Sequence, residues 1–388
     1  MSDPVDVRAS LARFPAWTQH FWTWFTGKAL PHQRPLIMHT WYSYLIVTLA
    51  LFAGGLVLSS VAVAWRFPLW WAAMILGWVL TLNGARTMIL VVAHQCIHGQ
   101  FSGNHKRDVF VGELVTLLTM SQTARGFKID HFQTHHKRAT FATLDDPPVK
   151  SLIDFGFLPG LSKRELWLRA FLTFISPVFY LKGISRRLRS NLFSERKWRR
   201  HAFIVYAAFW LSLPLWLPNG LSVLLLAFGV PIVVLFQISA LLDNLGEHAW
   251  LTPRDPRLSS RHYHVPATWA RFCGRPLPDR SLPAMAKPVA WVTWAAAMML
   301  YHLPARLLVV VGDLPNHDFH HRFPATPHWM CAAYARQWDI DSGHDGSPAY
   351  SEIWGLGHAI DRMFQELSNA EPYRSARAAH EPEVNAAS

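Results

Sequence analysis

Nine histidines stand in four short groups along the chain: His94 and His98; His131, His135 and His136; His248; and His317, His320 and His321. The chain holds 21 histidines, but these fall into tight spacings of one, three or four residues, with His248 standing singly. Residues three or four apart share one face of a helix. A face of imidazoles offers metal ligands without thiolates, which suits a site that handles iron and dioxygen. His94 and His98 form one such pair. The second and third groups each offer a further pair plus an adjacent ring turned about 100° away, which can reach a second ion. A lone interfacial histidine such as His248 is ordinarily a satisfied polar residue, and a single H-x-x-x-H carries little weight. The set carries more. His32, His39, His201, His262, His264, His302, His328, His344 and His358 are read as ordinary, with His105 and His328 standing closest to the groups.

Something must bring these groups together. The chain of 388 residues is 51% hydrophobic and 16% charged, with 19 tryptophans. Soluble domains are about 25% charged. Long uncharged runs therefore point to a membrane protein, in which a span needs about 20 apolar residues. Four segments are expected to cross: Trp41 to Trp65, Pro68 to Ala93, His201 to Leu217 and Gly220 to Leu242. Arg66 separates the first two, and Pro218 and Asn219 the second two, so they form two tight helical hairpins. Val109–Met120, Ala170–Tyr180 and Val289–Leu300 are too short and are expected to be interfacial or re-entrant.

Basic residues set the orientation. Lys28 and Arg34 precede the first span, and most of the remaining Lys and Arg fall between the second and third, while the hairpin turns are nearly uncharged. The positive-inside rule puts both termini and the middle segment in the cytoplasm. A net charge of +12 favours anionic membrane lipids, and the spans argue against nucleic acid as a partner. No cleavable signal peptide is read, because the first apolar run starts late and is too long. Cys96, Cys273 and Cys331 are scattered, which argues against a disulfide framework or an iron–sulfur module. The expected division is an N-terminal segment, 1–40, a membrane domain, 41–360, and a polar, frayed tail, 361–388.

Topology gathers the histidines. His94 and His98 lie where the second span reaches the cytoplasm, and Asn244 and His248 where the fourth does. The other two groups follow in cytoplasmic segments, so every group arrives at one membrane face.

From about Trp41 to His321 the chain resembles the membrane-bound fatty acid desaturase and hydroxylase superfamily, the histidine-box di-iron integral membrane proteins. That family carries an H-x-x-x-H box, an H-x-x-(x)-H-H box and a final H-x-x-H-H box. Thr140, Asp145, Asp146 and Pro147 resemble the residues that trail its second box. Asn244 to His248, Asn-Leu-Gly-Glu-His, resembles a further ligand segment. In family members nine histidines hold two irons, and the asparagine reaches one through a water. All ten positions match: His94, His98, His131, His135, His136, Asn244, His248, His317, His320 and His321. Three residues separate His131 from His135, where many desaturases have two. Hydroxylases of the alkane type also use three, and also have Asn-x-x-Glu-His. The trailing Thr140 and Asp145–Pro147 lean toward desaturases.

The resemblance implies an all-α integral membrane protein, with four transmembrane helices in two hairpins and a cytoplasmic helical cap carrying the di-iron site. It implies oxygen-dependent oxidation of a fatty acyl chain, with desaturation favoured. Hydroxylation and oxidative decarboxylation to a terminal alkene are the alternatives. A metal transporter is a remote one, because its ligands belong near mid-membrane and on both sides. Two iron ions are the expected cofactor and dioxygen the co-substrate. Electrons are expected from a ferredoxin or a b-type cytochrome with its reductase, docked on the basic face. The inner membrane of a bacterium is the expected setting.

Asp130, Asp145, Asp146, Glu247, Asp313 and Asp318 lie close to ligands and are candidates to orient the rings. Arg86, eight residues before His94, should share its helix face about 12 Å deeper. It is expected to pair with Asp243 or else to bind a polar substrate headgroup.

Overall fold

The computed structural model describes residues 6–251, 257 and 260–372. In chain order its main helices are α1 (Trp41–Trp65), α2 (Trp70–His98), α3 (His105–Leu118), α4 (Ala124–Asp130), α5 (Pro177–Leu192), α6 (Lys197–Trp216), α7 (Gly220–Glu247), α8 (His317–Arg322) and α9 (Leu356–Asn369). Two short strands, β1 (Ala270–Phe272) and β2 (Glu352–Trp354), pair in parallel.

Helix α1 starts at a reciprocal cap. Thr40 Oγ1 accepts from the Ser43 amide and Ser43 Oγ from the Thr40 amide. It ends at Arg66, which with Leu69 takes a left-handed conformation and turns the chain into α2. The two helices then pack backbone to backbone. A Cβ on Gly55 would stand 2.4 Å from the Thr81 nitrogen, and one on Gly84 2.5 Å from the Phe52 nitrogen. Lipid tails are as apolar as leucine, so close packing across small residues is what joins such helices.

Asn219 turns the chain from α6 into α7, and its Nδ2 donates to the Ala64 carbonyl at the end of α1, 2.9 Å away. Both turns therefore lie at one end of the molecule. Helices α2 and α7 leave that end in the same direction, so their C-terminal ends, with His94, His98, Asn244 and His248, arrive together at the other.

Among the described residues three helices, α1, α2 and α7, are long and apolar enough to cross a membrane, where four were expected. The difference lies in α6. Its first turn carries Lys197, Arg199 and Arg200, and it contains Pro214. Arg199 is buried, bonded to Glu113 of α3 at 2.7 Å and to Asn191 of α5 at 2.8 Å. What remains of α6 is shorter than a span, although Val205, Leu211 and Leu215 are exposed. Of the three short apolar segments, Val109–Met120 packs inside the protein through Val111 and Val115, while Phe171, Ile175, Val292 and Leu300 of the other two stay exposed. The boundary expected at residue 361 falls inside α9, whose Met363, Phe364 and Leu367 are buried in the core, so the frayed tail cannot begin there. Residues 373–388 of that tail lie outside the described residues.

Gly84→Ala should force α1 and α2 apart and cost about 1–3 kcal/mol, as overpacking does. Gly54→Ala, with nothing within 4 Å of its Cβ, is the control. Thermal unfolding in detergent should show a lowered Tm for the first variant and none for the second.

Candidate metal centre

The centre starts at the end of α2. His94 Nδ1 lies 3.2 Å from the Leu90 carbonyl, so this nitrogen carries the proton and Nε2 is left as the donor to a metal. Helix α4 continues into a wider π-turn at His131–His135, in which the His136 amide bonds the His131 carbonyl at 2.8 Å. In such a turn residue i+5, not i+4, comes to lie over residue i. At the end of α7, His248 leaves the helix in an extended conformation and bridges to Thr268. Helix α8 supplies the last three rings.

All nine imidazoles converge, in two touching groups. One holds His94, His98, His131, His136 and His320, the other His135, His248, His317 and His321, with the ligand atoms of each within 4.8 Å of one another. His131 Nε2 lies 3.0 Å from His94 Nε2 and 2.9 Å from His98 Nε2. His317 and His321 meet through Nε2 at 3.0 Å. Two imidazoles about 2.1 Å from one ion and at a right angle would stand about 3.0 Å apart. The donor sets therefore fit metal ions. His135 and His321 approach to 5.3 Å between ring centroids and His136 and His321 to 5.1 Å, which puts the two groups side by side.

In the second cluster the division differs from the one the spacing predicts. His131 and His135 were expected to share a face, but the π-turn puts His131 with His136 and sends His135 across. In α8, His317 pairs with His321, and His320 joins the other group. Both adjacent pairs are thus split between the two groups.

Burial holds His131, His136, His248, His317, His320 and His321 well below the usual imidazole pKa, and neighbouring rings add to it, preceded at His317 by the Arg271 charge. They stay neutral, as ligands must. Burial also works against charging His135, but the bond from Asp146 and the charges of Asp146 and Glu247 outweigh it and raise its pKa.

Two of the six candidate carboxylates meet a ring. Asp146 lies 3.2 Å from His135 Nδ1 and is itself held by the Ala142 amide at 2.7 Å. Glu247 Oε1 lies 3.1 Å from His317 Nε2. The others have partners elsewhere. Asp130 accepts from Gln122 at 2.7 Å, Asp145 pairs with Lys150 at 3.3 Å, and Asp318 pairs with Arg336 at 3.0 Å. Burial raises the Asp313 carboxyl to about 7, against a backbone hydrogen bond and the Arg306 charge. Asn244 donates from Nδ2 to the Pro148 carbonyl at 3.2 Å, while its buried Oδ1 has no hydrogen-bond partner.

Arg86 is not placed to bind a substrate headgroup. Its buried side chain donates to Asp243 at 2.8 Å, and Asp243 also accepts from Arg271 of β1 at 2.6 Å. A π-turn at Met88–Ala93 lies between Arg86 and His94. Arg271 carried no signal in the sequence, because it sits in a segment rich in Arg and Pro. His264 was also passed over. It is buried, 5.6 Å from His321 and 4.5 Å from Phe141 between ring centroids. With His98, Phe132, His136 and His321 it lines a cavity of about 500 Å³ that opens onto both groups. Its spacing to the other rings is irregular, so only the fold reveals it. His105 and His328 are exposed and stay outside.

Asp243→Leu would leave two buried guanidiniums unpaired and should cost about 3–5 kcal/mol, more than Arg86→Leu, which leaves Asp243 with Arg271. Denaturant or thermal unfolding orders the two. Asp146→Asn should fold normally yet bind metal about 10–100-fold more weakly, measured by chelator competition, because His135 loses its anchor.

Comparison with known proteins agrees with this geometry. The profile of the fatty acid desaturase family matches residues 68–344. An omega-3 fatty acid desaturase of the endoplasmic reticulum from Vigna radiata var. radiata is 24% identical over 341 residues, covering 84% of this chain and 74% of that protein. The chain belongs to the fatty acid desaturase family.

Proposed function

We propose that the protein is a membrane-bound, oxygen-dependent di-iron enzyme that desaturates a fatty acyl chain. The observation that carries this reading is the pair of touching imidazole groups at the common end of α2 and α7. The five rings of one group and the four of the other would hold two irons, which when bound supply the dioxygen chemistry needed to remove hydrogen from an unactivated methylene. The chain's own groups do the rest. Asp146 fixes the tautomer and tilt of His135, and the low pKa values keep the other rings neutral. Phe141 and Trp250, both fully buried, pack against His135 and His248 and exclude water.

A cavity of about 420 Å³ runs between α1, α2 and the segment around Arg306 to Tyr334. Val47, Leu51, Val79 and Leu80 give it apolar walls, and it reaches Asn316, the neighbour of His317. Its size suits a small ligand. We assign it to the acyl chain. Electrons would come from an acidic ferredoxin or b-type cytochrome, which the exposed Lys128 and Lys137 near His98 and His136 favour. The positive-inside pattern puts this face in the cytoplasm.

Hydroxylation is the second reading, favoured by the three-residue gap before His135 and by Glu247 beside His248. Expression in a host lacking desaturases, followed by mass spectrometry, separates the reactions. Products lacking two hydrogens are expected. Products carrying only an added oxygen would replace desaturation with hydroxylation, and a terminal alkene would indicate loss of the carboxylate. Purified protein should hold about two irons per chain, and His135→Ala should stop dioxygen consumption. Leu80→Trp, which fills the proposed chamber, should raise KM or shorten the accepted chain while iron content stays unchanged.

A further inference from the structure

We propose that Arg13, Arg280 and Lys287 form a site for the anionic headgroup of a membrane phospholipid, whose acyl tails lie along the apolar helix that Lys287 begins.

The helix sets the frame. Lys287–Ala297 continues through a π-turn, Met298–His302, into a further helix, Leu303–Leu308. Its far end is tied to the spans. The Leu307 carbonyl accepts from Asn83 Nδ2 of α2 at 2.7 Å, and the Leu308 carbonyl accepts from Ser239 Oγ of α7. Both donors belong to helices long and apolar enough to cross a membrane, so this end reaches below the membrane surface. The flank between the two ends is open. Val289, Val292, Met299 and Leu300 are exposed, Leu300 by 79%. An apolar flank continuous with the spans is covered by the same bilayer.

The near end is basic. A cavity of about 440 Å³ gathers Arg13, Arg280 and Lys287 around Phe14 and Trp291. The cations come from separate segments, and named contacts hold these together. Phe14 stacks on Trp22 at 5.1 Å and meets Trp294 at 6.1 Å between ring centroids, which carries Arg13 to the helix. The Leu277 amide donates to Ser10 Oγ at 3.1 Å, and Trp294 Nε1 donates to the Arg275 carbonyl at 3.1 Å. These two bonds fix the loop that bears Arg280.

The charges in the cavity do not balance. Among the described residues none of the three cations forms an ion pair. The acid beside them, Asp279, accepts from the Ser281 amide at 2.9 Å. Three cations against one carboxylate leave a net charge of +2. Like charges held in one cavity repel one another, and an anion offsets that repulsion. A free phosphate would meet the cations and leave the apolar flank bare. A phospholipid meets both, and Trp291 stands between the two regions, where tryptophan favours the membrane interface.

The test is lipid retention by purified holoprotein in detergent, read by native mass spectrometry, together with the rise in Tm on adding ligand. Phosphatidylglycerol, phosphatidylcholine and inorganic phosphate are compared on three proteins. These are the native chain, a site variant with Arg13→Gln, Arg280→Gln and Lys287→Gln, and a control with Lys106→Gln, Arg189→Gln and Lys197→Gln. The control removes the same charge from exposed positions elsewhere. The native chain and the control should retain phosphatidylglycerol in preference to phosphatidylcholine. A cation near a membrane surface is worth about fivefold, so the site variant should bind phosphatidylglycerol on the order of 100-fold more weakly. Its three positions are exposed, so its iron content and its Tm without lipid should match those of the native chain. Undiminished binding in the site variant, equal loss in the control or equal retention of phosphatidylcholine by the native chain would each overturn the proposal. Equal stabilisation by inorganic phosphate would overturn it too, by assigning the cations to a free anion.

Discussion

Asp243, set between the guanidiniums of Arg86 and Arg271, is the contact on which the rest of the molecule depends. It joins α2, α7 and β1 just beneath the imidazoles. A buried ion pair contributes little net stability, but breaking one is severe, so such a pair specifies register rather than strength. Sliding α7 by one residue against α2 would uncouple Asp243 from Arg86 and carry Glu247 and His248 off the centre together. The Asn219 bond to Ala64 fixes the far end of the same two helices. Between these two points, α2 and α7 have one way to lie.

Within that frame the centre is a problem in keeping nine rings uncharged and aimed. Burial lowers the affinity of most of them for protons, and crowding lowers it further, since a second positive ring nearby is unfavourable. His135 is the exception, because Asp146 offers it a negative partner. The same carboxylate that raises its pKa in the absence of a metal fixes the tautomer that exposes Nε2 to one. Asp146 meets His135 at Nδ1, and Glu247 meets His317 at Nε2.

Much of this was legible in the chain. Histidine spacing marked the boxes, apolar run length marked α1, α2 and α7, and charge asymmetry put the ends of α2 and α7 on one side. Arg86 and Asp243 were legible as a pair because isolated charges do not persist in spans. Other features were not. The length of an apolar run says nothing about whether its first turn is tied to α3 and α5, as Arg199 of α6 is. Regular helical counting fails at the π-turn of His131–His135, which shifts the phase there.

What the sequence by itself offered is the candidate donor set and its expected gathering at one end of the long helices, because these follow from residue type and local spacing. Tertiary structure decided how the donors divide. Whether His135 or His136 joins His131, whether His264 comes near, and which side of His317 a carboxylate occupies depend on phase, turn and contact between segments far apart in the chain. The nine histidines are a local fact. Their division into five and four exists only once α2, α4, α7 and α8 are packed end to end around them.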